Sequence, residues 1–269
     1  MGNAKNANKK TNMSLLKLKE VLDHEMDCRN NLCELSNDKP DPLMVAKKHN
    51  DETIALICSL FAYGNAKQIV KFLNSLNFAL LDENEEIIKK ELKHHYYRFQ
   101  KPSDIIDIFI ALKRLKGISS IENIVSNEYK KNGNIIDGLN MLINTIKKLS
   151  NCTNTQGFDF LVGNANTNSP YKRYMMYFRW MTRFDNLDMG LWSKIDKADL
   201  ILPLDTHTFK VCRKIGLLSR KTYDLKAALE ATENLKKFDP LDPIKYDFAL
   251  YRIGQEKNLD EIIKKIALN

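Results

Sequence analysis

Residues 202–217 read Leu-Pro-Leu-Asp-Thr-His-Thr-Phe-Lys-Val-Cys-Arg-Lys-Ile-Gly-Leu, and the way this stretch folds sets the class of the whole chain. Pro203 biases the residue before it toward an extended conformation, so the chain enters stiffly. Asp205 then stands where a helix N-cap belongs, with a carboxylate suited to accept from first-turn N–H groups. Phe209, Cys212 and Ile215 follow at steps of three and share one face. Gly216 ends the helix.

The same grammar recurs outward. Asp51 caps a stripe of Ile54, Ile57, Cys58, Leu60 and Phe61; Gly64 interrupts it, and Ile69, Val70, Phe72, Leu73 and Leu76 continue on a second helix. Ser103, after Pro102, is read as the cap of a helix carrying Ile105, Ile106, Phe109, Leu112 and Leu115, closed by Gly117. Helical stripes also occupy 118–129, 134–149, 172–184, 206–215, 224–237, 244–253 and 258–267. No alternating Val/Thr-rich run bounded by hairpin signals occurs, so the expectation is a bundle-like all-α fold. The asparagine-rich stretch 151–169, with Gly157 and Gly163, reads as a loop or hairpin.

Composition narrows the function classes. Lys and Arg exceed Asp and Glu, 42 against 34, for a net charge of +8 and a pI near 9.1. Such a surplus attracts polyanions, of which nucleic acid is the commonest in a cytoplasm. No run of about 18 apolar residues is present, so no membrane span is expected. The opening MGNAKNANKKTN lacks the apolar core of a secretory signal, and Asn6 stands where a myristoylation signal wants Ser or Thr. Residues 1–12 read as a disordered polar tail, and the chain is expected to be cytoplasmic. Cysteines 28, 33, 58, 152 and 212 form no CxxC pair and no tight cluster, which argues against a disulfide framework or an obvious zinc or iron–sulfur site; no metal and no cofactor are expected. Cys33, Cys58 and Cys212 lie among apolar neighbours and read as core residues.

Two further segments carry chemistry-bearing residues. Ser169-Pro170 is a helix start, and Lys172 falls in its first turn ahead of an apolar face of Met175, Met176, Phe178 and Trp180. That helix also carries Arg173, Arg179 and Arg183, a basic face that is either solvated or set against phosphate. Phe238–Leu250 contains Asp239-Pro240 and Asp242-Pro243 and leads into a Pro-initiated helix with Phe248.

The run PLDTHTFKVCRKIGL resembles the VDTHxxRVxxRLGL segment of the helix-hairpin-helix base-excision DNA glycosylases, the superfamily of endonuclease III and the 8-oxoguanine glycosylases. The style is closest to the latter. In that superfamily the aspartate of the triplet is the catalytic carboxylate and also caps the next helix. The resemblance therefore gives Asp205 both roles at once. It also implies an all-α fold of two helical lobes with a helix-hairpin-helix-like element and the active site in the cleft between them. The N- and C-terminal helices of the unit 13–269 would form one lobe and about 50–165 the other.

The superfamily places its lysine nucleophile at the start of the hairpin's second helix, which points to Lys172. The usual Leu-Pro-Gly-Val-Gly turn is replaced here by Gly163-Asn-Ala-Asn-Thr-Asn-Ser-Pro, and Lys172 and Asp205 stand further apart than in endonuclease III-like members. The wider gap is similar to that of the archaeal 8-oxoguanine glycosylases. Residues 57–68, ICSLFAYGNAKQ, are similar to the superfamily's wedge-bearing helix–turn–helix, so Tyr63 or Asn65 would fill the hole left by an extruded base. Arg173, His207 and Lys210 would contact the DNA. Trp180 and Phe248 each read either as core or as a stacking surface in the base pocket. The run DPxKYDFAL, with PLDTH and the KR…RWM…R helix, is similar to a bacterial branch over roughly residues 40–257. The four-cysteine iron–sulfur loop of endonuclease III is absent.

The implied activity is a DNA glycosylase with AP lyase activity, excising a damaged base such as 8-oxoguanine from double-stranded DNA. The chain would act as a monomer, associated with the nucleoid when bound. Other readings are a monofunctional glycosylase for alkylated bases or uracil, a non-catalytic DNA-binding protein of the same fold, and a helical scaffold unrelated to DNA.

Overall fold

The computed structural model describes the backbone of residues 2–151, 155–256 and 259–267, and the side chains of 15–151, 155–256 and 259–266. Cys152 lies outside the described residues. Among them the chain forms fourteen α-helices and no strand, so the fold is all-α. In order these are α1 (Gly2–Arg29), α2 (Pro42–His49), α3 (Glu52–Leu60), α4 (Ala66–Ser75), α5 (Glu85–Leu92), α6 (Pro102–Ile118) and α7 (Ile121–Asn132). There follow α8 (Ile135–Leu149), α9 (Gln156–Val162), α10 (Lys172–Thr182), α11 (Thr206–Lys214), α12 (Leu225–Lys236), α13 (Asp247–Glu256) and α14 (Leu259–Ala267). The first turns of α1 take in residues 2–12, the stretch whose composition reads as a polar tail.

The chain divides into two compact units. One comprises residues 1–34, 168–175 and 200–269; the other comprises 35–167 and 176–199. In the first, α13 packs on α11 and α1, α14 packs on α1, and α12 rests on a 3-10 turn, Pro243–Tyr246. In the second, α7 pairs with α8, α6 lies against α5, α8 and α9, and α2 packs on α3 and α4.

Local chemistry explains most helix boundaries. Asp51 Oδ1 accepts from Thr53 N at 2.8 Å and Ile54 N at 2.9 Å, starting α3 as its sequence suggests. Seven of the nine α3 residues are buried, as befits a helix apolar on nearly every side. Glu52, at its first position, accepts from Ile121 N (2.8 Å), Glu122 N (3.1 Å) and Trp192 Nε1 (2.7 Å), so its carboxylate also satisfies the start of α7.

Four expectations need correction. Stretch 151–169 contains α9, because Thr155 Oγ1 caps Phe158 N and Phe158, Leu161 and Val162 bury a face. Helix α6 starts at Pro102 rather than after Ser103; Lys101 N donates to Asp104 Oδ2 at 2.8 Å, so the acid three residues in closes the terminus. Cys33 is exposed, because it sits in a short 3-10 turn whose inward side chain is Glu34. Finally, 244–253 is not one helix, since Pro243 opens a 3-10 turn and α13 begins only at Asp247.

Candidate active site

In the first unit, a buried extended segment delivers Asp205 to the start of α11. Leu200 to Leu204 are all buried. Leu202 N donates to Thr232 Oγ1 at 2.9 Å, and Tyr223 Oη donates to Leu204 O at 2.9 Å, which fixes the residue before the acid. Asp205 has extended backbone, and its Oδ1 accepts from His207 N and Thr208 N, both at 2.8 Å. Both bonds fall on one oxygen; Oδ2 accepts no hydrogen bond from the described residues. The carboxylate is half-buried and rigid, with one oxygen available.

Its charge is felt nearby. The Tyr223 hydroxyl is pushed up to about 12, by burial first and by the Asp205 charge second. Burial, Asp247 and Asp205 together push the Cys212 thiol well above its usual range, so that thiol stays protonated.

Helix α13 contacts both α11 and Lys172. Gly254 of α13 has His207 and Val211 of α11 against it; a Cβ there would stand 3.1 Å from His207 Cβ and 3.2 Å from Val211 Cγ2. Tyr251 precedes Gly254 by three residues and so shares its face. Lys172 Nζ lies over the Tyr251 ring, 6.0 Å from its centroid. One turn of α13 thus receives both the lysine and the start of the aspartate-capped helix. Lys172 is half-buried, and His207 and Lys210 on α11 are exposed.

Behind Tyr251, a charge network holds α13 in place. Arg252 lies over the rings of Phe248 (4.9 Å) and Tyr251 (5.6 Å). Its guanidinium pairs with Glu34 at 2.9 Å and donates to Glu34 O at 2.7 Å. Arg29 also pairs with Glu34 (3.1 Å) and with Glu256 (2.5 Å). Tyr251, Arg252 and Glu34 were not singled out from sequence, although Tyr251 and Arg252 directly continue the Tyr-Asp-Phe-Ala-Leu run.

Other sequence candidates fall elsewhere. Helix α10 starts at Lys172, two residues later than Ser169-Pro170 suggests, because Tyr171 adopts a left-handed φ of 47°. That conformation is costly for an aromatic residue, and Ser169 Oγ, accepting from Tyr171 N at 3.3 Å, supports it. Trp180 is 1 % exposed, so it is core and offers no stacking face. Phe248 is 7 % exposed with Arg252 over its ring, so it too is packing rather than pocket surface. Arg179 and Arg183 form no basic face: Arg179 pairs with buried Asp188 at 3.0 Å, and Arg183 with Asp188 and with Asp185 at 2.9 Å. Arg173 is half-buried. Tyr63 and Asn65 belong to the second unit. Tyr63 is packed among Tyr97, Phe99 and Phe160, and Asn65 caps α4, with Oδ1 accepting from Lys67 N (3.0 Å) and Gln68 N (3.3 Å).

Among the described residues no group of three His, Cys, Asp or Glu side chains could hold a metal ion, and no helix is long and apolar enough to cross a membrane. No curated protein and no solved structure matches the chain. A family model does match residues 41–256, from the residue that caps α2 to the last residue of α13. On that match the chain belongs to DUF2400, a family described as a protein of unknown function.

Proposed function

We propose that the chain is a DNA glycosylase with AP lyase activity, acting on an oxidised purine such as 8-oxoguanine in duplex DNA. The observation that supports this reading best is that α13 carries the Tyr251 ring under Lys172 and, three residues on, packs Gly254 against His207 of the Asp205-capped helix. Breaking a nucleoside C1′–N bond builds positive charge on the sugar. A fixed carboxylate beside that carbon stabilises the charge, and Asp205 presents an oxygen that no described residue occupies.

Lys172 Nζ forms a bond to C1′ as the C1′–N bond breaks. The electron pair leaves with the base, which takes up the proton the amine releases. Opening of the sugar gives an imine, and loss of a C2′ proton with expulsion of the 3′-phosphate nicks the strand. The positive charge of the chain supplies attraction for the phosphates.

Borohydride trapping on a duplex with a single lesion tests this. Wild type is expected to give a covalent adduct, and Lys172→Gln to give none while still binding DNA. No adduct on any lesion or abasic site would sink the lyase step.

A second reading is favoured by the Tyr251 contact. Ring faces attract ammonium ions, and a lysine that stays on the ring is a binding group rather than a nucleophile. Asp205 then directs water, and base excision occurs without trapping.

A further inference from the structure

In the second unit, aromatic side chains run without a break from core to surface. Phe61 and Phe72 are buried; Tyr97 stacks on Phe72 at 4.6 Å and meets Tyr63 edge-on at 5.2 Å. Tyr63 in turn meets Phe160 edge-on at 5.0 Å, and Phe160 meets Phe99 at 4.4 Å. Phe99 and Phe160 are 47 % and 43 % exposed, and Tyr96 on the same loop is 73 % exposed. Large rings left at the surface above a packed aromatic column mark a contact surface.

The loop itself, residues 94–101, reads His-His-Tyr-Tyr-Arg-Phe-Gln-Lys, rings interleaved with cations. It is rigid. Tyr97 N and Gln100 N each donate to the other's carbonyl (3.2 and 2.9 Å), a tight turn in which Arg98 takes φ 56°. Buried Gln100 donates to Gly157 O at 3.1 Å and accepts from the Tyr63 hydroxyl, while Tyr97 Oη donates to Tyr63 O at 2.7 Å. Arg98 and Phe99 are thereby held at the tip, both exposed.

A cavity of 340 Å³ opens between Phe99, Phe160, exposed Lys101 and the start of α9 at Gln156 and Gly157. That volume lies at the small-ligand end of binding pockets (about 300–1,000 Å³). Asp104 also lines it, but its carboxylate is already engaged by Lys101 N and Thr155 Oγ1.

We propose that this surface binds single-stranded nucleic acid, with unpaired bases stacking on Phe99 and Phe160 and the phosphates following Arg98 and Lys101. Ring platforms flanked by cations take up unpaired strands in this way. A duplex hides its base faces in its own stack, so the platform selects the unpaired strand. This site is independent of the Lys172 and Asp205 chemistry.

The test is fluorescence anisotropy of a labelled oligothymidylate of about twelve nucleotides, titrated with the full chain at about 50 mM salt, with duplex as competitor. Wild type is expected to bind the single strand. Phe99→Ala and Phe160→Ala should each weaken binding about tenfold. Phe99→Tyr should restore it, and Lys172→Gln should bind as wild type does. The proposal is overturned if the oligothymidylate does not bind, if duplex displaces it as readily as single strand does, or if the ring variants bind unchanged. Loss of base excision in Lys172→Gln with retained oligothymidylate binding would separate this site from the glycosylase reading.

Discussion

At the scale of single residues, Asp205 holds a helix terminus and is the proposed acid, and substitution separates the two roles. Asparagine caps a helix about as well as aspartate, so Asp205→Asn should hold thermal stability within about 0.5 kcal/mol while abolishing base excision. Asp205→Ala should lose both, at about 1 kcal/mol of stability. Thermal melting beside an excision assay reads the two effects; a strongly destabilised Asn variant would show that the carboxylate is structural. Gly254 makes a different point. His207 and Val211 of α11 lie this close to α13 only because Gly254 carries no side chain. Gly254→Val overpacks the crossing by about 1–3 kcal/mol and should lower the trapping yield more than it lowers DNA binding. Asp205 was legible in the sequence because a cap must lie beside the helix it starts. Tyr251 was not, since its meeting with Lys172 joins residues far apart in the chain.

At the scale of elements, α10 carries the largest expected effect. Asp188 is 2 % exposed and serves two buried guanidiniums, so Asp188→Ala leaves both charges without it. Breaking a buried pair in this way costs about 3–5 kcal/mol, read as a lowered denaturant midpoint. The sequence showed Arg179 and Arg183 at helical spacing on a basic stripe. It did not show Asp188 folding back beneath them, because a turn after the helix makes that contact. Helix α1 has its own signature. Asp23 accepts from Tyr246 Oη at 2.7 Å and from Lys19, tying α1 to the turn before α13. Burial pushes the Asp23 carboxyl up, but the hydrogen bonds from Lys19 and Tyr246 outweigh it and hold the group below its ordinary 3.8. A depressed carboxyl contributes stability that is present above the unfolded value and is lost as pH falls through the folded one. Stability should therefore fall as pH drops below about 4, and Asp23→Asn should flatten that limb of the melting profile. Helix α9 escaped the sequence reading because seven residues capped by a threonine leave too short a stripe among asparagines and glycines.

At the scale of the molecule, the all-α class followed from caps and threefold spacing repeated along the chain, and the surplus of 42 basic over 34 acidic residues was plain in the composition. What composition cannot show is which cations are spent internally, as Arg29, Arg179, Arg183 and Arg252 are. Binding to an undamaged duplex should weaken steeply between about 50 and 200 mM salt, a slope that titration at several salt concentrations measures. A flat profile would remove the polyelectrolyte argument. The cysteines offer a further handle on the whole chain. Cys58 lies buried in one unit and Cys212 in the other, while Cys28 and Cys33 are exposed. An alkylating reagent should mark the exposed pair at once and reach each buried thiol only when its own unit opens. Peptide mass spectrometry over a denaturant series would then time the opening of each half separately, with native sulfur as the clock and no engineered residue.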